Sequence, residues 1–182
     1  MDLLEGLRTR RACREYTDQP VSEPEIERLI EIATLAPSAM NRQPWAFAVL
    51  RGTARLHDLS KQAHKAALQF LLSDSPLRSH ALDPHFELFH GAAALVVVCA
   101  TDQDSQPAED CCLAAENLML AAHSAGLGSC WVGFARPWLS QDPVKASLGL
   151  PATLRPVAPI ILGHPMACDQ VSTRNPPKIL WI

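Results

Sequence analysis

The sequence predicts an α+β fold in which helices outnumber strands. Three observations carry that expectation. Residues 93–100 form a near-continuous apolar run, the signature of a strand buried on both faces. Residues 109–125 are apolar almost all round, as in a helix at the centre of a molecule. Four strand patterns in all alternate with a larger helical share, without an internal repeat or a linker.

Taken in order, residues 2–11 read as a short helix ending in a basic cluster. Residues 23–36 are a second helix, with Ile26, Leu29, Ile30, Ala33 and Leu35 on or near one face. Ser22 is its natural N-cap, with Pro24 and Glu25 in the first turn. Residues 45–50 are a strand and 54–72 a third helix. Residues 73–90, carrying Ser, Asp, Pro and His, are a candidate excursion over a pocket. After the buried strand and the apolar helix, Gly126 and Gly128 stop the helix. Residues 129–134 are a strand, 143–148 a short helix, and 157–163 a last buried strand. The tail, 165–182, is rich in proline and ends Ile179-Leu180-Trp181-Ile182. Such an apolar end would lie exposed unless it packs on something, and a second subunit is one answer.

At 182 residues the chain is expected to form one domain, with a core large enough to need no staples. Hydrophobic residues make up 48% and charged residues 19%, as in a globular protein. A net charge of -3 argues against bulk nucleic-acid binding, which needs a basic surface. No apolar run is long enough to span a bilayer, and the first residues lack a signal-peptide core. The six cysteines form no CxxC pair, which argues against a metal site. Cys99, Cys111, Cys112 and Cys130 sit in apolar runs and read as reduced core thiols of a cytoplasmic protein.

Two regions concentrate chemistry. Ala36-Pro37-Ser38-Ala39-Met40-Asn41-Arg42-Gln43-Pro44-Trp45 follows a helix and leads into a strand. Pro44 lacks a donor and biases Gln43 toward extended geometry, so the loop is rigid and presents backbone groups and two amides. That suits a flat polar heterocycle, and it suits an ordinary helix-to-strand connection too. Arg10, Arg11 and Arg14 concentrate bidentate donors suited to a phosphate, or make a solvated patch partnered by Glu15. Arg10 and Arg14 share a face if the first helix persists. Arg174 is a second basic point, in the stiff tail. Gly-Leu-Gly-Ser at 126–129 reads as a helix stop, since neither GxGxxG nor GxxxxGK[ST] is present. In Cys130-Trp131-Val132-Gly133-Phe134, Gly133 admits close approach to the backbone and Trp131 offers a flat apolar face. No acid, base or nucleophile set stands out, as expected where a cofactor carries the reaction.

Together these motifs resemble the FMN-dependent nitroreductase family: its basic N-terminal pattern at Arg10 to Tyr16, its PSxxNxQPW loop at Pro37 to Trp45, its helix-glycine-strand region from Asn117 to Gly133, and its arginine-proline tail from Arg174 to Trp181. The resemblance implies a mixed central sheet flanked by helices, in an intertwined homodimer with two interfacial FMN sites. Arg10, Arg11, Arg14 and Arg174 would grip the phosphate. Ala12 replaces the motif's serine, so one hydroxyl contact is missing. Ser38, Ala39, Met40 and Asn41 would come from the other subunit and line the flavin edge, and Pro37 and Gln43 of the same loop would also bind the cofactor. Trp131, Val132 and Gly133 would back the ring, and the 165–182 tail would embrace the partner. NADH or NADPH would give hydride to FMN and leave, and an electron-poor acceptor would follow, in a ping-pong cycle. Other flavin chemistry on the same fold (dehalogenation, ene reduction, flavin breakdown) and a flavin-binding dimer without turnover are the alternatives.

Overall fold

The computed structural model describes residues 2–70, 82–83, 86–102, 106–167 and 173–182. Its helices are α1 (Leu3–Thr9), α2 (Glu23–Ala33), α3 (Thr53–Phe70), α4 (Gln106–Ser124), α5 (Arg136–Leu139) and α6 (Asp142–Leu148). Its strands are β1 (Glu15–Tyr16), β2 (Trp45–Arg51), β3 (Ala94–Ala100), β4 (Gly128–Trp131), β5 (Arg155–Gly163) and β6 (Pro165–Ala167). Four strands form a sheet in the order β2-β3-β5-β4, and β1 pairs with β6 in a two-stranded ribbon. The ladders of the larger sheet are antiparallel, and a parallel bridge joins Ala12 to Ser129.

The apolar run becomes β3, and all seven of its residues are buried. Strand pleating sends alternate side chains to opposite faces. Val96 and Val98 join Ile26 and Leu29 of α2 and Leu118 of α4 in one core. Leu95, Val97 and Cys99 join Leu56 of α3, Phe89 and Trp138 in the other. The result is the expected α+β architecture, with helices against both faces of the sheet.

Several elements depart from the sequence expectation. The first helix ends at Thr9, so Arg10 and Arg14 share no helical face; Arg10 turns away with ψ 133°. β4 stops at Trp131, and residues 133–135 bend into a 3-10 turn. The Val132 N–H donates to the Pro159 carbonyl at 2.8 Å, but a proline has no N–H to return, so the ladder ends there. α4 is not buried all round, because Cys112 and Leu113 point outward. Cys112 is therefore a surface thiol rather than a core residue, whereas Cys13, Cys99, Cys111 and Cys130 are buried. Burial pushes the Cys99 and Cys111 thiols up to about 12. Residues 165–167, at the start of the proline-rich tail, form β6, a strand beyond the four expected. Cys168, residues 71–72 and most of the 73–90 excursion lie outside the described residues. No helix among those described is long and apolar enough to cross a membrane.

The predicted cap of α2 is present as a full capping box. The Glu25 carboxylate accepts from the Ser22 hydroxyl at 2.5 Å and from the Ser22 N–H at 2.9 Å, and the Glu25 N–H donates back to Ser22 Oγ at 3.4 Å. These donors hold the Glu25 carboxyl below its ordinary value. Folding lowers this pKa, so the stabilisation is complete above the ordinary carboxylate range and fades as pH falls through the folded value. Ser22→Ala is expected to cost about 1 kcal/mol in urea unfolding at neutral pH. The gap between wild type and Glu25→Gln should narrow in acid; a gap independent of pH would contradict the capping role.

Candidate active site

The site is built where residues 12–17 lie across the edge of the sheet. The Cys13 N–H donates to the Ser129 carbonyl and the Thr17 N–H to the His164 carbonyl, each at 2.9 Å. Underneath, Gly128 of β4 and Gly163 of β5 stand opposite each other in the ladder. A Cβ on Gly128 would meet Cys13 Sγ at 2.7 Å, and one on Gly163 would meet Tyr16 Cδ1 at 2.6 Å. Gly128 is thus a close-approach glycine rather than a helix stop. Gly126 alone ends α4, with φ +77° and the Leu127 N–H reaching back to the Ala122 carbonyl at 2.8 Å. Tyr16, buried, donates its hydroxyl to the Cys13 carbonyl and locks the strap.

The strap delivers Arg14 to a cleft of about 880 Å³, within the range of small-molecule and cofactor sites. Trp131, Val132 and Gly133 line it, together with Cys130. Nothing stands within 4 Å of where a Gly133 Cβ would be, so that backbone is open to approach. Phe134, Arg136, Phe86, Leu88 and His90 complete the wall and were not singled out from sequence. Phe134 directly follows the recognised motif and was within reach of that reading. Phe86, Leu88 and His90 belong to the excursion, whose pattern shows no period. They are held by packing: Phe86 meets His64 and His90 edge-on, at 5.3 and 5.9 Å between ring centres, and the Phe89 N–H donates to Ser60 Oγ at 3.2 Å. Among the described residues none that lines the cleft is acidic, and two guanidiniums and an imidazole stand in its wall.

The other expected residues lie elsewhere. Arg10 pairs through Nε with Glu116 at 3.4 Å, not with Glu15. Arg11 donates to the carbonyls of Arg8 at 2.8 Å and Arg10 at 2.6 Å, and its buried Nε has no hydrogen-bond partner among the described residues. Ala12 is taken up in the bridge to Ser129. Arg174 is exposed in the tail. None of Pro37, Ser38, Ala39, Met40, Asn41 and Gln43 lines this cleft within the chain. Their loop is a 3-10 turn over Ala39–Asn41, with positive φ at Met40, Asn41 and Gln43. Ser38 Oγ accepts from the Gln43 N–H at 2.9 Å, and Met40 is 94% exposed.

An apolar, partly aromatic wall beside an arginine and an open backbone fits a flat ring system that carries an anionic group, such as a flavin mononucleotide. Among the described residues no group of His, Cys, Asp or Glu could hold a metal ion.

Comparison with known proteins gives the same picture. The family model described as "Nitroreductase family" matches residues 7–164. A protein of Methanothermobacter thermautotrophicus, provisionally named NADH dehydrogenase/NAD(P)H nitroreductase, is 30% identical over 168 residues, spanning 91% of this chain and 78% of its own length. A nitrobenzene nitroreductase of Ectopseudomonas oleovorans is 29% identical over 195 residues, spanning 86% and 84% of the two chains. A Bacteroides fragilis nitroreductase solved with bound FMN superposes with a TM-score of 0.84 at 26% identity, covering 100% of this chain and 99% of that one.

Proposed function

This chain belongs to the nitroreductase family and is an NAD(P)H-dependent FMN oxidoreductase; from that premise we propose that it serves a small electron-poor acceptor, a nitroaromatic or quinone, in a ping-pong cycle. The carrying observation is the cleft itself: Arg14 set against Trp131, Val132 and Gly133, with no acidic residue among the described residues of its wall. FMN held there would supply the redox chemistry of the cycle. The chain's residues bind and orient. Arg14 would take the phosphate; Arg10, Arg11 and Arg174 lie outside this cleft in the single chain and would be further cations only of the complete dimeric site. Trp131, Val132 and Gly133 would back the ring, with the open backbone at Gly133 admitting close approach. Nicotinamide and acceptor would use the same open space in turn, with solvent as the source of the protons that the reduced acceptor takes up.

The working unit in this reading is a homodimer of one flavin-binding domain per chain, in the cytoplasm. Leu180 and Trp181 are 89% and 92% exposed, and Leu3, Leu4, Leu7 and Leu35 are also exposed, a large apolar area for a lone chain. The strained 37–43 loop does not line this cleft in its own chain, and in the proposed dimer it would meet the cleft of the second copy. Removing residues 178–182 should weaken the dimer, and sedimentation velocity would register monomer at concentrations where the full chain is dimeric. An unaltered profile would exclude the tail from the interface.

The deciding experiment is a visible absorption spectrum of the purified protein before and after anaerobic NADH or NADPH. Flavin bands that bleach support the reading. Bands that persist favour a flavin-binding dimer without turnover, and a protein that neither carries nor binds FMN overturns the assignment.

A further inference from the structure

We propose that Asp110 is the positioning residue of the 36–44 loop, and through that loop shapes the flavin edge of the neighbouring copy's site. The second half of the statement rests on the dimeric reading above; the first half does not. Asp110 lies in α4 and is 2% exposed, among core neighbours Cys111, Ala114 and Ala115. A carboxyl group buried there is costly unless hydrogen-bonded. Both its oxygens face the Ala39 N–H, at 3.3 and 3.4 Å, from 71 residues along the chain.

That N–H opens the 3-10 turn Ala39–Asn41. Ser38, in the N-cap position, makes no cap bond to the turn; its Oγ serves the Gln43 N–H instead. Asp110 therefore supplies from another element the cap that the loop lacks locally. The residues beyond Ala39 need such support. Met40, Asn41 and Gln43 hold φ values of 53°, 54° and 50°, a left-handed region that non-glycine residues occupy only when their surroundings enforce it. On the far side of the turn, Cys111 Sγ lies 3.9 Å from the Pro44 carbonyl, so adjacent residues of α4 touch the loop near both ends. α4 also carries Glu116, the partner of Arg10. One helix thus anchors the strained loop and a guanidinium beside the strap.

The test compares the full-length wild type with Asp110→Ala, Asp110→Asn and Ala39→Pro. Asparagine keeps an oxygen able to accept from Ala39. Proline removes the N–H from the loop side, where Ser38 at ψ 153° tolerates a following proline. Hydrogen exchange over residues 36–44 is read without flavin, and FMN affinity is read by titration. Asp110→Ala and Ala39→Pro should speed exchange in the loop while α4 stays protected, and should weaken FMN binding roughly tenfold or more. Asp110→Asn should restore most of both. Unchanged loop exchange in Asp110→Ala and Ala39→Pro overturns the proposal. So does exchange that rises equally through α4 without rescue by asparagine, which marks a core residue only. Should Asp110→Ala not fold, Ala39→Pro alone decides. A wild type that binds no FMN, with the loop still released by Asp110→Ala, refutes the functional reading and leaves the anchor standing.

Discussion

Gly163→Ala is expected to destabilise the chain by about 1–3 kcal/mol and to weaken FMN retention at the same time. The new methyl would stand 2.6 Å from Tyr16 Cδ1 and 3.0 Å from Tyr16 Cγ. Those atoms are near the root of a buried ring whose hydroxyl is committed to the Cys13 carbonyl, so no flexible tip is free to yield. The strap must lift, and lifting it moves Arg14 relative to the cleft wall at Trp131 and Gly133. Urea unfolding and FMN titration of the same variant report both effects. A variant as stable as wild type would mean that the strap is not held tightly against the paired glycines. Lost stability with unchanged FMN affinity would separate the strap from the site.

Arg14→Ala should leave the fold intact and cost about 1.5–3 kcal/mol of FMN binding, the worth of a charge-assisted contact to a phosphate. Arg14 is exposed and belongs to neither hydrophobic core, so little packing is lost. Arg14→Lys keeps the charge without the planar fork and should fall between the two. Fluorescence titration with FMN, run beside riboflavin, isolates the phosphate. Wild-type FMN affinity in Arg14→Ala would remove this residue from phosphate binding, and an equal loss toward riboflavin would place it on the ring instead.

Much of this architecture was legible in the linear chain. A short unbroken apolar run rich in β-branched residues is the signature of a strand covered on both sides, and β3 is one. Ser22, Pro24 and Glu25 spell a helix start through local hydrogen bonds, and α2 begins there. The motifs around Pro37 and Trp131 stood out because prolines, amides and a glycine beside an aromatic restrict the backbone within a few residues. These are signals of short range, and short-range physics acts wherever the chain carries it.

What tertiary structure decided is of another kind. β1 and β6 are too short to show a period, and they exist because residues 12–17 find the sheet edge. Gly128 looked like a helix stop beside Gly126; only the approach of Cys13 shows that it clears space for the strap. Arg10, Arg11 and Arg14 read alike as three guanidiniums, yet packing gives one to Glu116, one to backbone carbonyls and one to the cleft. Asp110 stands in an apolar helix with nothing nearby in sequence to explain it, because its partner is Ala39. Phe86, Leu88 and His90 reach the cleft from a segment without pattern. The chain alone determined which elements form, since propensity, capping and burial period are local. Which side chains meet at the cleft depended on contacts between residues tens of positions apart, and those are set only when the sheet and its two helical layers close.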